Sequence, residues 1–188
     1  MSEKSVSTVI IDAPLADVQA ALFEVGSYPE WLSSIKKAEI LESDSEGRVL
    51  KAKLSIDAGM MKDRVALDYD WSQAPTTLSF TLDEADLLTQ MDGSYTLKAI
   101  DGDTTQVTYE LTVAVSLPVP AMMITKAQQQ TIDAALKELA QALIQAADSP
   151  AGFQTVTLYK GNGHDYEIFV TKNVKEAEWP PSGLQPAY

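Results

Sequence analysis

Between Ile35 and Val115 apolar residues recur at every second position, in runs separated by short polar turns, and no other feature constrains the fold as tightly. Lys62–Trp71 carries Val65, Leu67, Tyr69 and Trp71 on one face and Arg64, Asp68 and Asp70 on the other. After SQAPT, Leu78, Phe80 and Leu82 share a face; within Leu87–Ile100, Met91, Tyr95 and Leu97 do so. Beyond the IDGDT turn, Val107, Tyr109, Leu111, Val113 and Val115 line up in the same way. Ile35–Glu42 and Val49–Ile56, divided by SDSEG and followed by DAGMM, begin the series. A period of two sends alternate side chains to opposite faces of a strand. Strands joined by such short turns run antiparallel, with one face in a core and the other in water.

Other elements flank this meander. Ser5–Ile11 (SVSTVII) is rich in β-branched residues and reads as a strand. Pro14 suits the start of a helix whose Leu15, Val18, Leu22 and Val25 fall on one face, and Gly26 stops it. The stretch VGSYPEWLSSI follows, as one further helical turn or a tight loop. At the far end LPVP closes the sheet, and a long helix to about Ala147 places Ile132, Leu136, Leu139 and Leu143 on one face. A sheet buried on one face needs a cover, and this helix is the element large enough to supply it. The fold class is α+β, a curved sheet around one helix, and such a sheet encloses a space. Residues 1–148 are read as that domain and residues 149–188 as an extension.

The extension begins with DSPAG, a linker signal. FQTVTLYK–GNG–HDYEIFVTK then has the alternation and turn of a hairpin, and EWPPSGLQPAY is rich in proline. An isolated two-stranded hairpin is marginal in water, so it must dock on a sheet edge, on the helix, or on a second subunit. Docking within the chain is expected, because the linker is short.

Composition excludes several function classes. The 188 residues have a formal net charge of −13, which repels phosphate backbones, so no nucleic-acid partner is expected. There is no cysteine, which removes thiolate nucleophiles and zinc–thiolate sites and fits a reducing, cytoplasmic location. No run is apolar enough to span a bilayer. The single histidine, His164, flanks the GNG turn in the extension, away from any Ser–His arrangement in the main domain. DSDSE and DEAD read as solvated turns, and GNG lacks the helix and lysine of a phosphate loop. No cofactor or metal is expected.

YPEW after the first helix, DAGMMKDRVALDYDW, MDGSYTLKAIDGDTTQVTYELTV and the Ala/Leu-rich last helix resemble the START-like, or SRPBCC, superfamily. Its bacterial polyketide cyclase/dehydrase and coenzyme-Q-binding branch is the nearest likeness, over about Ser5 to Ala147. The resemblance implies a helix-grip fold: a curved seven-stranded antiparallel sheet wrapped around the C-terminal helix, with an elongated apolar cavity between them. It also implies that the connections after the third and fifth strands and the lead into the last helix meet at one end of the cavity.

On that fold the inward parity collects Leu67, Tyr69, Trp71, Phe80, Met91, Tyr95, Tyr109 and Leu111 as candidate ligand-binding residues. Apolar walls with a few hydroxyls suit a small-molecule pocket, although a plain core has the same make-up. Trp31 either closes one end of the cavity or fills core. Met60, Met61, Met122 and Met123 either form an adaptable apolar rim or pack into the seam between sheet and helix. Asp63, Tyr69, Tyr95 and Tyr109 are the groups through which a cavity enzyme could act.

The first functional expectation is binding or carriage of a hydrophobic small molecule: a lipid, isoprenoid quinone or polyketide-like compound. The alternative is a cyclase or dehydratase working in the cavity. A protein-interaction module is the third, with ribosome contact disfavoured by the charge. Whether the chain is a monomer or a dimer stays open.

Overall fold

The computed structural model describes residues 3–59, 61–146, 159–161 and 166–168. Strand β1 (Ser5–Ile11) leads into helix α1 (Leu15–Phe23), a 3-10 turn (Val25–Ser27) and the single-turn helix α2 (Tyr28–Trp31). The meander follows as β2 (Ile35–Ser43), β3 (Val49–Asp57), β4 (Lys62–Asp70), β5 (Thr77–Ala85), β6 (Leu88–Ala99) and β7 (Thr105–Val115). Helix α3 (Ala121–Ala146) closes the main body, and two short strands, β8 (Tyr159–Gly161) and β9 (Tyr166–Ile168), come after it.

All strand pairs are antiparallel, in the order β2-β3-β4-β5-β6-β7-β1-β8-β9. Seven strands form the curved sheet gripped around α3, which is the expected helix-grip arrangement. Irregularities in the ladder at Ile40/Glu42, at Ala66/Leu67 and at Leu88/Gln90 add local twist, and such bulges bend a sheet. β8 extends the free edge of β1 within the same chain, pairing Ile10 with Tyr159 and Val9 with Lys160. The linker, His164, Phe153 and the proline-rich end lie outside the described residues.

The two halves of α3 are packed differently. From Ile132 onward its inner face is buried through Ala135, Leu136, Leu139, Ala140 and Leu143, at the three-and-four spacing of an amphipathic helix. Ala121–Ala127 is exposed or half-exposed, and the first buried side chain of the helix is Gln128. A polar seam joins the helix to β1: Ser7 Oγ donates to Asp133 Oδ1 (2.7 Å), and Gln129 Nε2 donates to Ser7 Oγ (2.6 Å). The dry core therefore fills one end of the grip, under α1. The other end, under the first turns of α3, is left with space.

No helix among the described residues is long and apolar enough to cross a membrane.

Candidate functional site

That space is a cavity of about 310 Å³ between the inner face of the sheet and the first half of α3. Its walls are built by strand parity. β3 contributes Leu54 and Ile56, β4 contributes Leu67 and Tyr69, and β7 contributes Tyr109, Leu111 and Val113. Ala127, Thr131 and Ala135 of α3 form the roof. Small residues at two of these roof positions keep the helix from filling what the sheet leaves open.

Polar groups are few and concentrated. A chain of aromatic rings crosses the sheet: Tyr69 to Phe80 (centroids 6.1 Å apart), Phe80 to Tyr95 (6.3 Å), and Tyr95 stacked on Tyr109 (4.2 Å). All four side chains are buried and line the cavity. Burial, which disfavours phenolate, pushes the Tyr95 hydroxyl well above its ordinary value, aided by Tyr109. The Tyr69 hydroxyl is raised for the same reason. Tyr109 is pushed up to about 12 by burial, offset in part because the Tyr95 hydroxyl donates to its oxygen. Tyr28 also lines the cavity, and its hydroxyl donates to the Leu22 carbonyl at 2.5 Å. The cavity thus offers neutral hydroxyls rather than charge.

Three connections meet at the mouth. Ala58 and Met61 lie before β4, Leu87 lies between β5 and β6, Leu117 and Val119 lead into α3, and Met123 lies in its first turn. Leu117 and Met123 are 55% and 51% exposed while lining the cavity, which marks this as the open end. Asp63 holds the Leu87 side of the mouth in place: its buried carboxylate accepts from the backbone N–H groups of Arg64, Asp86, Leu87 and Leu88 at 2.8–3.2 Å. An anion satisfied by four amides is a brace for the loop. It is not among the residues lining the cavity.

Of the residues proposed from sequence, Met61, Leu67, Tyr69, Phe80, Met91, Tyr95, Tyr109, Leu111 and Met123 stand in the cavity wall. Three do not. Trp31 packs edge-on against Tyr28 (5.4 Å), and of the two it is Tyr28 that lines the cavity. Trp71 shares the inward parity but stands one residue past the end of β4, where Phe23 of α1 meets it edge-on (5.3 Å) and the Val49 carbonyl accepts its indole N–H (2.7 Å). Met122 is 81% exposed, since adjacent helical positions point in different directions. Met60 lies outside the described residues. The turn at Asp83–Asp86 is displaced as well: β5 runs on to Ala85, so Leu87 is the residue at the rim.

Residues that the alternation alone did not single out include Leu54, Ile56 and Gln128. The first two sit at inward positions of β3. Gln128 is a polar residue one helical turn before Ile132, and a polar side chain on a buried stripe is itself a signal. Among the described residues no group of His, Asp and Glu side chains is placed to hold a metal ion.

Comparison with solved structures agrees with this architecture. A START superfamily protein from Mycobacterium smegmatis superposes with a TM-score of 0.73 at 22% identity, covering 77% of this chain and 99% of that one. The Zhui aromatase/cyclase from Streptomyces sp. R1128 superposes with a TM-score of 0.66 at 17% identity, over 79% of this chain and 98% of its own. At such identities the likeness shows the fold alone. Comparison with curated proteins found no match. A family model does match, over residues 2–143, which is most of the chain. With the helix-grip sheet, the covering helix and that match together, the chain belongs to the family described as polyketide cyclase/dehydrase and lipid transport.

Proposed function

We propose that the chain binds and carries a hydrophobic small molecule in the cavity between sheet and helix, with a neutral oxygen function of the ligand set against the tyrosines. The observation that carries this reading is the make-up of the cavity: an apolar space of about 310 Å³ whose ligand-facing polar groups are mainly phenols held in the neutral form. That volume is at the lower end of small-molecule pockets, about 300–1,000 Å³. Apolar burial supplies the affinity, at about 0.8 kcal/mol per methylene. Neutral hydroxyls fix orientation by donating to a carbonyl or exchanging hydrogen bonds with an alcohol. A carboxylate or an amine would enter without a counter-charge, at high cost. Lipid alcohols, isoprenoid quinones and polyketide-like carbonyl compounds satisfy both demands.

A cyclase or dehydratase reading is the second. It is favoured by the pairing of the Tyr95 hydroxyl with Tyr109 beside open cavity space, because paired phenols can polarise a carbonyl. The same tyrosines are poor bases: burial pushes Tyr109 up to about 12 and raises Tyr69 and Tyr95 as well, so they stay protonated at neutral pH. Binding without turnover is therefore the primary reading.

Native mass spectrometry of the purified chain tests it. A resolved adduct, released on denaturation and extractable into organic solvent, is the expected result. A bare mass, together with no uptake of the neutral fluorophore N-phenyl-1-naphthylamine, would overturn the reading.

A further inference from the structure

Along β6 the inward positions are Met91, Gly93, Tyr95 and Leu97, so a glycine interrupts a face otherwise made of large side chains. Its backbone angles give no reason for this, because among the described residues only Gly47 and Gly59 have positive φ. Space does give one. Gly93 pairs with Phe80 on β5 and Leu111 on β7, both in the cavity wall. A Cβ placed at residue 93 would lie 2.3 Å from Phe80 Cζ and 2.8 Å from both Cε atoms. The far edge of the Phe80 ring therefore lies across the strand at the point where a side chain is missing.

Room for the ring to move sideways is small. Tyr69 and Tyr95 stand 6.1 and 6.3 Å from it, centroid to centroid, and Phe80 is only 4% exposed. Sheet backbone lies beneath it. The remaining direction is away from the sheet, into the cavity. We infer that Gly93 is the specificity-determining position of the cavity: by letting Phe80 lie flat on β6 it holds open the depth that sets the largest apolar ligand accepted. This rests on the binding reading above and adds to it a size limit and the residue pair that imposes it.

The size limit can be read with n-alkanols from hexanol to tetradecanol, each displacing N-phenyl-1-naphthylamine from the full chain. In the unaltered protein affinity should rise about fourfold per methylene until the cavity is full, then level off. Gly93→Ala should keep the short-chain affinities and reach its plateau at least about two methylenes earlier. The longest alkanol the unaltered protein accepts should then bind at least about fifteenfold more weakly. Phe80→Leu should move the plateau to longer chains, and Gly93→Ala combined with Phe80→Leu should follow Phe80→Leu within about twofold, because the clash has gone.

A Gly93→Ala plateau identical to that of the unaltered protein would overturn the inference while leaving the binding reading intact. No alkanol binding by the unaltered protein would sink the binding reading, and the size limit with it. If Gly93→Ala fails to fold, the comparison of Phe80→Leu with the double variant decides. A folded double variant that matches Phe80→Leu supports the inference, and an unfolded one shows that glycine is needed for a reason other than Phe80.

Discussion

Gln128 Oε1 accepts the backbone N–H of Val113 at 2.6 Å, at the point on β7 where its neighbour β1 has run out. The pairing of β1 with β7 ends at Ser5 and Leu111, so Val113 has no strand partner on that side. The amide of Gln128 stands in for the missing strand, and its Nε2 donates onward to the Glu3 carbonyl (2.9 Å) and to Ser5 Oγ (3.0 Å). One buried side chain thus ties the roof of the cavity to two strands. Gln128→Leu leaves the Val113 N–H buried without a partner and should lower stability by about 1–3 kcal/mol in urea denaturation. It should also speed hydrogen exchange in Ala121–Ala127, which has little other packing. Unchanged exchange there would show that the first turns of α3 are held by something else.

Met122 and Met123 are neighbours with opposite consequences. Met123 lines the cavity mouth and Met122 points to solvent. Met123→Glu should weaken uptake of a neutral fluorophore about tenfold, since a carboxylate at the rim resists passage of apolar groups. Met122→Glu should have no effect, and neither change should lower the melting temperature noticeably. Equal effects of both on binding would mean that the ligand enters elsewhere.

Much of this architecture is legible in sequence because the signals are local. Alternation and turns mark each strand of the meander, and parity alone places Leu67, Tyr69, Phe80, Tyr95 and Tyr109 on one face. Where a strand ends is not local information. Trp71 keeps the parity of β4 yet meets α1 instead of the cavity, because Phe23 occupies that position in three dimensions. The same applies to Trp31, which packs on Tyr28 while Tyr28 lines the cavity. Gly93 escapes a hydropathy reading altogether: a residue without a side chain contributes nothing to an alternation, although its absence of bulk shapes the cavity.

Asp63 is a test of loop bracing. Its carboxylate serves four backbone donors between Arg64 and Leu88, and an amide at that position offers one oxygen where two are used. Asp63→Asn should cost about 2–3 kcal/mol and loosen the Leu87 side of the mouth. Urea denaturation reads the first effect. Faster exchange of the Asp86, Leu87 and Leu88 amides reads the second, and protection unchanged from the unaltered protein would contradict the role.

The buried tyrosines predict an alkaline transition. Burial raises the hydroxyls of Tyr28, Tyr69, Tyr95 and Tyr109 above the ordinary value of about 10. Below that value both folded and unfolded chains keep these protons, and the stability contribution is complete. Above it the unfolded chain releases protons that the folded chain retains, so stability falls by about 1.4 kcal/mol per pH unit for each tyrosine. Phenolate absorbance should therefore show four of the seven tyrosines ionising only as the fold is lost. Ionisation of all seven near pH 10 in a protein that stays folded would contradict their burial.

Filling the cavity from its roof tests whether ligand binding depends on that space. Ala135 is 4% exposed and faces the cavity from α3, so Ala135→Leu adds apolar bulk to the space itself. Fluorescence titration with N-phenyl-1-naphthylamine should show one site per chain in the unaltered protein. In Ala135→Leu the affinity should fall by about tenfold or more while the melting temperature is kept or raised, as expected when a void is filled without strain. Undiminished binding by the filled variant would place the ligand outside the cavity and contradict the account.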